Sequence, residues 1–276
     1  MITPPAADAI TPQNFHFMQE VLRQDAAIVI EAGKEYLVES RLNTLAARYR
    51  FSGVNQLVDT LRLAPGTSPR LRLDSVDALT TNETYFFRDL DPFDALRDHL
   101  IPQYRQQHPG QPLHIWSAAS STGQEAYSIS MLVSEHFPDL PVTILGTDLS
   151  PSVVTRARSG VFGQIEVNRG LPARLLVKYF QSQGGQWTIH PSIRARTEFR
   201  EMNLATTWPY LPRAHVVFLR NVMIYFDVPT RQRILQQVKS VLAPGGYLVL
   251  GGAETTVTLD LDFKPVTLGK ATFYQL

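Results

Sequence analysis

The sequence contains no cysteine, which excludes disulfides, thiolate metal sites and a cysteine nucleophile and is compatible with a reducing compartment. It also lacks an excess of charge of either sign. The 26 Lys and Arg against 25 Asp and Glu leave a formal net charge of +1, so global electrostatics give no case for nucleic acid or an anionic membrane as partner. No apolar run approaches the roughly 20 residues that a membrane-spanning helix needs, and no direct membrane insertion is expected. The opening Met1-Ile2-Thr3-Pro4-Pro5 has neither the basic n-region nor the apolar h-region of a signal peptide. A soluble, cytoplasmic protein is expected. The seven histidines, at 16, 99, 108, 114, 136, 190 and 215, are scattered.

What is present begins with helix. From Thr11 to Leu63 apolar residues recur at helical spacing: Phe15, Met18, Val21 and Leu22, then Leu37, Leu42, Leu45 and Ala46, then Leu57, Val58 and Leu61. Gly33 and Ser52-Gly53 divide the stretch into short helices. Ala64-Pro65-Gly66-Thr67-Ser68-Pro69 reads as a linker and places a boundary near 64–78. Between positions 41 and 72, Arg41, Arg48, Arg50, Arg62, Arg70 and Arg72 stand against one acid, Asp59, a local excess of six minus one, or five.

After the linker, strands alternate with helices. Strands are predicted at 113–118, 142–148, 215–219, 246–250 and 271–275, with helices over 124–136, from about Ser150-Pro151, and over 229–242. This pattern predicts βαβ units and a mostly parallel sheet covered on both faces, with ligands at the carboxyl ends of its strands. The segment from Gly163 to Arg200 breaks the rhythm. It carries a short helix near 171–180, then Gly184-Gly185, Trp187-Thr188-Ile189 and an alternating Arg194-to-Phe199, and it reads as a small antiparallel insertion.

The first strand runs into Ala118-Ala119-Ser120-Ser121-Thr122-Gly123-Gln124-Glu125, a turn of small residues that lets backbone N–H groups approach a ligand. It has one glycine where a dinucleotide fingerprint has three, and no Gly-Lys-Ser/Thr follows for a phosphate loop. The second strand ends at Asp148, an acid suited to ribose hydroxyls or, in the plainer reading, to capping the next helix. Together these favour an adenosine-containing ligand and leave its identity open. Two further clusters sharpen this. Thr80 to Arg88 packs amides, hydroxyls, aromatics and a guanidinium just before the sheet begins, or in the plainer reading caps a helix and packs a core around Phe86 and Phe87. Leu219 to Asp227 leaves the end of a central strand with polar residues towards the ligand crevice and Val222, Ile224 and Phe226 as core. Asp89-Leu90-Asp91-Pro92-Phe93-Asp94 fits a helix start with proline in the first turn better than a metal site, and no metal is expected.

The pattern Thr-x-Asn-x-Thr-x-Phe-Phe-Arg at 80–88 resembles the signature opening of the CheR family of chemotaxis receptor (MCP) glutamate O-methyltransferases. Ser121-Thr122-Gly123-x-Glu125-x-Tyr127-Ser128, Gly146-Thr147-Asp148, Asn168-Arg169-Gly170-Leu171, Arg220 to Phe226 and Leu242 to Leu248 resemble it further, in the family's order and spacing from about residue 15 to the C-terminus. The resemblance implies an α/β fold: a Rossmann-like class I AdoMet-dependent methyltransferase domain (76–276) with a small antiparallel β-subdomain (about 163–200), preceded by an all-helical domain (1–75). It implies S-adenosylmethionine (AdoMet) as cofactor, S-adenosylhomocysteine as product, and transfer to receptor glutamates. Asn82, Thr84 and Arg88, then Glu125, Asp148, Asn203, Leu204, Asn221 and Val222, match the family's cofactor contacts. Tyr225 matches an aromatic placed beside the transferring methyl, and Arg88 is suited to hold a carboxylate of cofactor or substrate.

The implied partners are the cytoplasmic methylation helices of chemoreceptors, with no nucleic acid, and the protein is expected to be a monomer. Arg41, Arg48 and Arg50, in the plain reading a solvated helix surface, are with this partner implied a candidate docking face for an acidic receptor helix. From Phe180 to Phe199 the chain is a few residues shorter than in members that tether to a receptor's C-terminal pentapeptide, so a member without that tether is expected. Ala119 and Ser120 stand where the family usually has glycine and cysteine, and Gln124 and Ala126 replace the usual glutamate and proline. The competing readings are a class I methyltransferase with another acceptor and a non-catalytic protein that binds AdoMet or its demethylated product and signals.

Overall fold

The computed structural model describes residues 9–63, 66, 68–259 and 262–276. Ala64, Pro65 and Thr67 of the expected linker, and the five opening residues, lie outside the described residues. The chain divides into two compact units, one of Met1–Thr81 with Tyr225–Asp227, the other of Asn82–Ile224 with Val228–Leu276.

Among the described residues the first unit is built from four helices: α1 (Pro12–Ala26), α2 (Glu35–Arg48), α3 (Val54–Leu63) and α4 (Pro69–Leu79). Thr11 starts α1 by accepting the Asn14 N–H on its hydroxyl, with Pro12 in the first turn. The core is the predicted apolar stripe: Phe15, Met18, Val21, Leu22, Leu42, Leu45, Ala46, Leu57, Val58 and Leu61 are all buried, joined by Leu71 and Leu79 from α4. The boundary expected at 75/76 falls inside α4. Residues 225–227 join this unit because Ile28 bridges antiparallel to Phe226 and the Val29 N–H donates to the Tyr225 carbonyl.

The arginine-rich surface looks different in three dimensions. Arg72 pairs with Asp25 at 2.6 Å, Arg70 with Asp74 at 2.9 Å, Arg62 with Asp59 at 3.0 Å, and Arg48 approaches Asp74 at 4.0 Å. Arg41 donates to the carbonyls of Leu79 and Thr80 at 2.7 and 2.9 Å and to the Thr81 hydroxyl, closing the end of α4. Arg48 and Arg50 are exposed.

The second unit opens with α5 (Asp91–Ala95), which continues through a π-helical turn (Leu96–Leu100) into α6 (Ile101–Gln107). Then follow β1 (Leu113–Ala118), α7 (Gln124–His136), β2 (Val142–Asp148) and α8 (Pro151–Ser159). Next come β3 (Val161–Gly163), α9 (Gln164–Asn168), α10 (Ala173–Tyr179), β4 (Phe180–Gln183), β5 (Gln186–Ile189) and α11 (Pro191–Arg194). The chain ends with β6 (Thr197–Glu201), β7 (Ala214–Leu219), α12 (Val228–Val241), β8 (Leu242–Leu250), β9 (Lys264–Leu268) and β10 (Ala271–Gln275). The main sheet has the order β6-β2-β1-β7-β8-β10-β9. Its first five strands run parallel; β10 is antiparallel to β8, and β9 to β10. This is the expected Rossmann-like arrangement, with the strand order reversing between β1 and β7. A second sheet, β3-β5-β4, is wholly antiparallel and forms the β-subdomain.

One expectation needs correction. Residues 197–199, read as part of the antiparallel insertion, belong to β6, which pairs parallel with β2 at the edge of the main sheet. Edge strands covered on one side alternate polar and apolar residues, and that look imitates a solvated hairpin. Inside the unit an aromatic cluster joins the two sheets: Phe86 meets Phe162 and Phe180 edge-on at 5.1 and 5.7 Å, and Tyr127 packs on Phe162 and Phe199. Burial pushes the Tyr127 phenol upward, and its hydroxyl donates to the Ala157 carbonyl. Among the described residues no helix is long and apolar enough to cross a membrane.

Three histidines gather at the amino ends of β1 and β7. His215 stacks on His114 at 5.6 Å and lies 4.7 Å from Tyr104 and 6.3 Å from His108. Its Nδ1 accepts the His114 backbone N–H at 3.0 Å, which requires that nitrogen to be unprotonated. Burial, then the neighbouring His114 and His108, hold the His215 pKa below its ordinary 6.5. The unfolded chain therefore binds this proton first, and stability is lost as pH falls below about 6.5 toward the lowered folded value. Chemical denaturation of wild type and His215→Gln between pH 7.5 and 5 checks this: the variant is expected to lose less stability over that interval, and parallel losses would refute the assignment.

Candidate active site

The carboxyl ends of the parallel strands gather the residues that carry chemistry. β1 turns into α7 through Ala119 and Ser121, both in the left-handed region (φ 55 and 49), and Gly123 (φ 92). At Gly123 a Cβ would lie 3.0 Å from Phe199 Cζ and 3.1 Å from Ala157 Cβ, so the turn needs glycine twice over, for its φ and for its packing. Ala119 occupies a left-handed position that glycine adopts without the roughly 1 kcal/mol penalty of a Cβ, which accounts for the family's usual residue there. The Ser120 hydroxyl is buried without a partner among the described residues.

Asp148, at the end of β2, is buried. Its carboxylate accepts the Ser121 N–H at 2.8 Å and the Ser150 N–H at 3.0 Å, so one side chain ties the β1 turn to the start of α8. The helix cap itself is Ser150, whose hydroxyl accepts the Val153 N–H. The 82–88 segment is a loop, fastened by Ser121 Oγ donating to the Asn82 carbonyl and by the Phe87 N–H donating to Ser128 Oγ. Arg169, between α9 and α10, pairs with Glu83 and lies 4.5 Å over the Tyr85 ring, where Arg88 also lies at 5.5 Å. The Arg169 hydrogen bond holds the Glu83 carboxyl below the usual range.

Arg220, one residue beyond β7, carries a buried charge. Its side chain is 2% exposed. Nη1 donates to Glu125 Oε2 at 3.0 Å, and Nη2 donates to the Arg88 carbonyl and Asp89 Oδ2, each at 2.8 Å. Ser117 Oγ donates to the other Glu125 oxygen at 2.7 Å, and the guanidinium lies 5.8 Å from the Phe93 ring. Glu125, expected at the cofactor, thus also joins α7, β1 and β7.

Asn82, Thr84 and Arg88 stand in a loop fastened to the carboxyl end of the sheet, Glu125 in the first turn of α7 and Asp148 at the end of β2, with Asn203 and Leu204 just beyond β6 and Asn221 and Val222 just beyond β7. The Asn203 side chain accepts the Ala205 N–H, and Trp208, edge-on to Trp116, donates to the Leu204 carbonyl. Tyr225 and the three arginines expected to dock a partner, Arg41, Arg48 and Arg50, belong to the first unit. Of seven non-glycine residues with positive φ among the described residues, five (Phe87, Asp89, Ala119, Ser121 and Asn221) lie in these strand-end loops, where backbone strain commonly marks a functional site. Sequence reasoning misses the fastening roles of Ser117, Ser121, Ser128, Arg169 and Arg220. Four of these stand inside the motifs quoted above, but composition says nothing of which partner each meets. Glu254, which accepts backbone N–H groups at the same edge, gives no signal at all.

The donor set suits an adenosyl cofactor: an anchored acid at the second strand end, and small residues in the first turn. Among the described residues no group of three potential ligands converges on a metal position. Replacing Arg220 with methionine leaves a mostly buried Glu125 unpaired and is expected to cost about 3 kcal/mol of stability. Urea unfolding checks this, with Glu125→Gln in the same chain expected to restore at least half; additive losses would show that the pair does not couple.

A family profile described as CheR methyltransferase, SAM binding domain, matches residues 82–271. A chemotaxis protein methyltransferase of Pseudomonas putida is 38% identical over 269 residues, covering 95% of this chain and 97% of that protein. Chemotaxis protein methyltransferase 1 of Pseudomonas aeruginosa is equally similar over the same coverage, and a chemotaxis protein methyltransferase of Vibrio parahaemolyticus is 34% identical over 98% of this chain and 99% of its own. Among solved structures, a glycopeptide N-methyltransferase complexed with S-adenosylmethionine shows a weaker likeness, with a TM-score of 0.34 and 14% identity over 71% of this chain and 69% of that one. Family profile and near-full-length relatives agree, and the chain belongs to the CheR family of AdoMet-dependent methyltransferases.

Proposed function

We propose that this protein transfers a methyl group from AdoMet to glutamate side chains on the cytoplasmic methylation helices of chemoreceptors, forming glutamyl methyl esters. The observation that carries the reading is the extent of the match to chemotaxis protein methyltransferases: it runs through the arginine-rich helical unit as well as the cofactor domain.

When bound, the cofactor supplies an electrophilic methyl on a sulfonium. Asp148, held in place by two backbone N–H groups, would take the ribose. Asn203 and Leu204 would line the adenine side, and Asn82, Thr84, Asn221 and Val222 would line the rest. Arg88 would hold a carboxylate, and Tyr225 would stand beside the reacting methyl. A glutamate of ordinary pKa near 4.3 is already ionised at neutral pH, so the residues have only to orient it and exclude water. The β4–β5 connection supports independence from a receptor tether: Gly184 and Gly185 alone join the two strands, the shortest turn a hairpin uses.

Incubation of the protein with labelled AdoMet and receptor-bearing membranes tests the reaction. Base-labile label on the receptor is the expected result; label on nucleic acid, or none while cofactor binds, would overturn it. The docking face is tested by charge reversal. Arg48→Glu and Arg50→Glu are expected to lower receptor methylation roughly five- to tenfold at low salt while sparing cofactor binding. Arg41→Glu is expected to destabilise the protein as well, because Arg41 closes α4. Unchanged methylation by the Arg48 and Arg50 variants would remove the docking assignment.

A further inference from the structure

From Val216 beside Tyr247, strands β7 and β8 run parallel and in register to their carboxyl ends, Leu219 beside Leu250. Beyond those residues the chains leave the ladder, and their N–H groups need acceptors of another kind. Glu254 provides them. Its Oε2 accepts the Asn221 N–H and the Gly251 N–H, each at 2.7 Å, and its Oε1 accepts the Ile224 N–H at 3.3 Å. The Glu254 N–H donates to the Gly251 carbonyl at 2.9 Å, a tight turn that folds the carboxylate back over its own strand end. Gly251 makes room for it: a Cβ there would lie 2.8 Å from Glu254 Oε2 and 2.9 Å from the Asn221 nitrogen. Asn221 is itself in the left-handed region (φ 58), where the chain turns away from β7.

From this arrangement we infer that Glu254 is a positioning residue for AdoMet binding, acting through the backbone of residues 221–224. The inference rests on the reading that Asn221 and Val222 face the cofactor. Glu254 does not touch the reacting groups. It fixes a left-handed turn that would otherwise relax, and it holds the ends of two adjacent strands at a set separation. Because its donors are backbone amides, the requirement is for two acceptor oxygens at the reach of a glutamate. Glutamine keeps the reach and one oxygen, whereas aspartate keeps both oxygens and loses the reach; alanine loses everything.

Calorimetric titration of the full chain with S-adenosylhomocysteine, together with steady-state kinetics in AdoMet, tests the assignment. Wild type must first bind the ligand, since its failure to do so would sink the cofactor reading rather than this one. Glu254→Ala is expected to weaken binding roughly 10-fold or more. The KM for AdoMet should rise in proportion while kcat changes little, and Glu254→Gln, which keeps one of the two acceptor oxygens, should lose less than alanine, about three- to fivefold. Amide hydrogen exchange at 221–224 should accelerate in the same order. Binding by both variants within about twofold of wild type would overturn the proposal, and so would a loss confined to kcat. If the alanine variant does not fold, Glu254→Gln decides: a loss of about threefold or more with faster exchange at 221–224 supports it, and a smaller loss overturns it.

Discussion

Arg220 carries a positive charge to a place where only 2% of its side chain meets solvent, and desolvating an ion costs several kcal/mol unless partners are arranged around it. The chain arranges them from three directions. Glu125 comes from the first turn of α7, Asp89 and the Arg88 carbonyl come from the loop before α5, and the Phe93 ring lies against the guanidinium. None of these elements can shift without uncovering the charge. The loop accepts two left-handed residues, Phe87 and Asp89, in reaching its position, and such residues persist only where surrounding contacts over-determine them. The candidate cofactor loop is therefore shaped by a buried ion pair at its base.

A related constraint governs the rest of the edge. Parallel strands exhaust their ladder at the carboxyl ends, and each turn beyond leaves backbone N–H groups that must find acceptors. This protein fills the need with side chains rather than further secondary structure: Asp148 for Ser121 and Ser150, Ser128 for Phe87, Glu254 for Asn221, Gly251 and Ile224. A side-chain acceptor permits a turn of any φ, which a ladder does not. That freedom lets Ala119, Ser121 and Asn221 take the left-handed conformations that bend the chain around the crevice.

How much of this is legible in the sequence depends on whether the signal is local. The helix over 124–136 and the strand over 142–148 are found with the expected bounds, because hydrophobic run, small-residue turn and length coincide there. β6 escapes such a reading because an edge strand's alternation does not reveal whether its neighbour is parallel. The arginine excess of the helical unit is real along the chain. In space Asp25 and Asp74, both outside positions 41–72, pair with Arg72 and Arg70. Arg41 serves carbonyl groups that no charge count includes. In the candidate site, residue identities are readable from the motifs, but the partners are not. Glu125 looks like a ligand contact and is also half of a buried ion pair; Glu254 has no motif to announce it.

The acids at the strand ends bear on the acceptor. Asp148, Glu125, Asp89 and Glu254 each already accept hydrogen bonds from backbone N–H groups, a serine hydroxyl or Arg220. A carboxylate so held is committed to the fold, its oxygens already turned towards donors of the protein itself. Histidine offers no alternative at this end of β1 and β7, since His114 and His215 lie at the opposite, amino ends of those strands. An amine acceptor, with an ordinary pKa near 10.4, would arrive protonated and need a base to make it nucleophilic. A glutamate arrives ionised. The arrangement of acids as structural acceptors thus fits the proposed carboxylate acceptor, for which orientation alone would be sufficient chemistry.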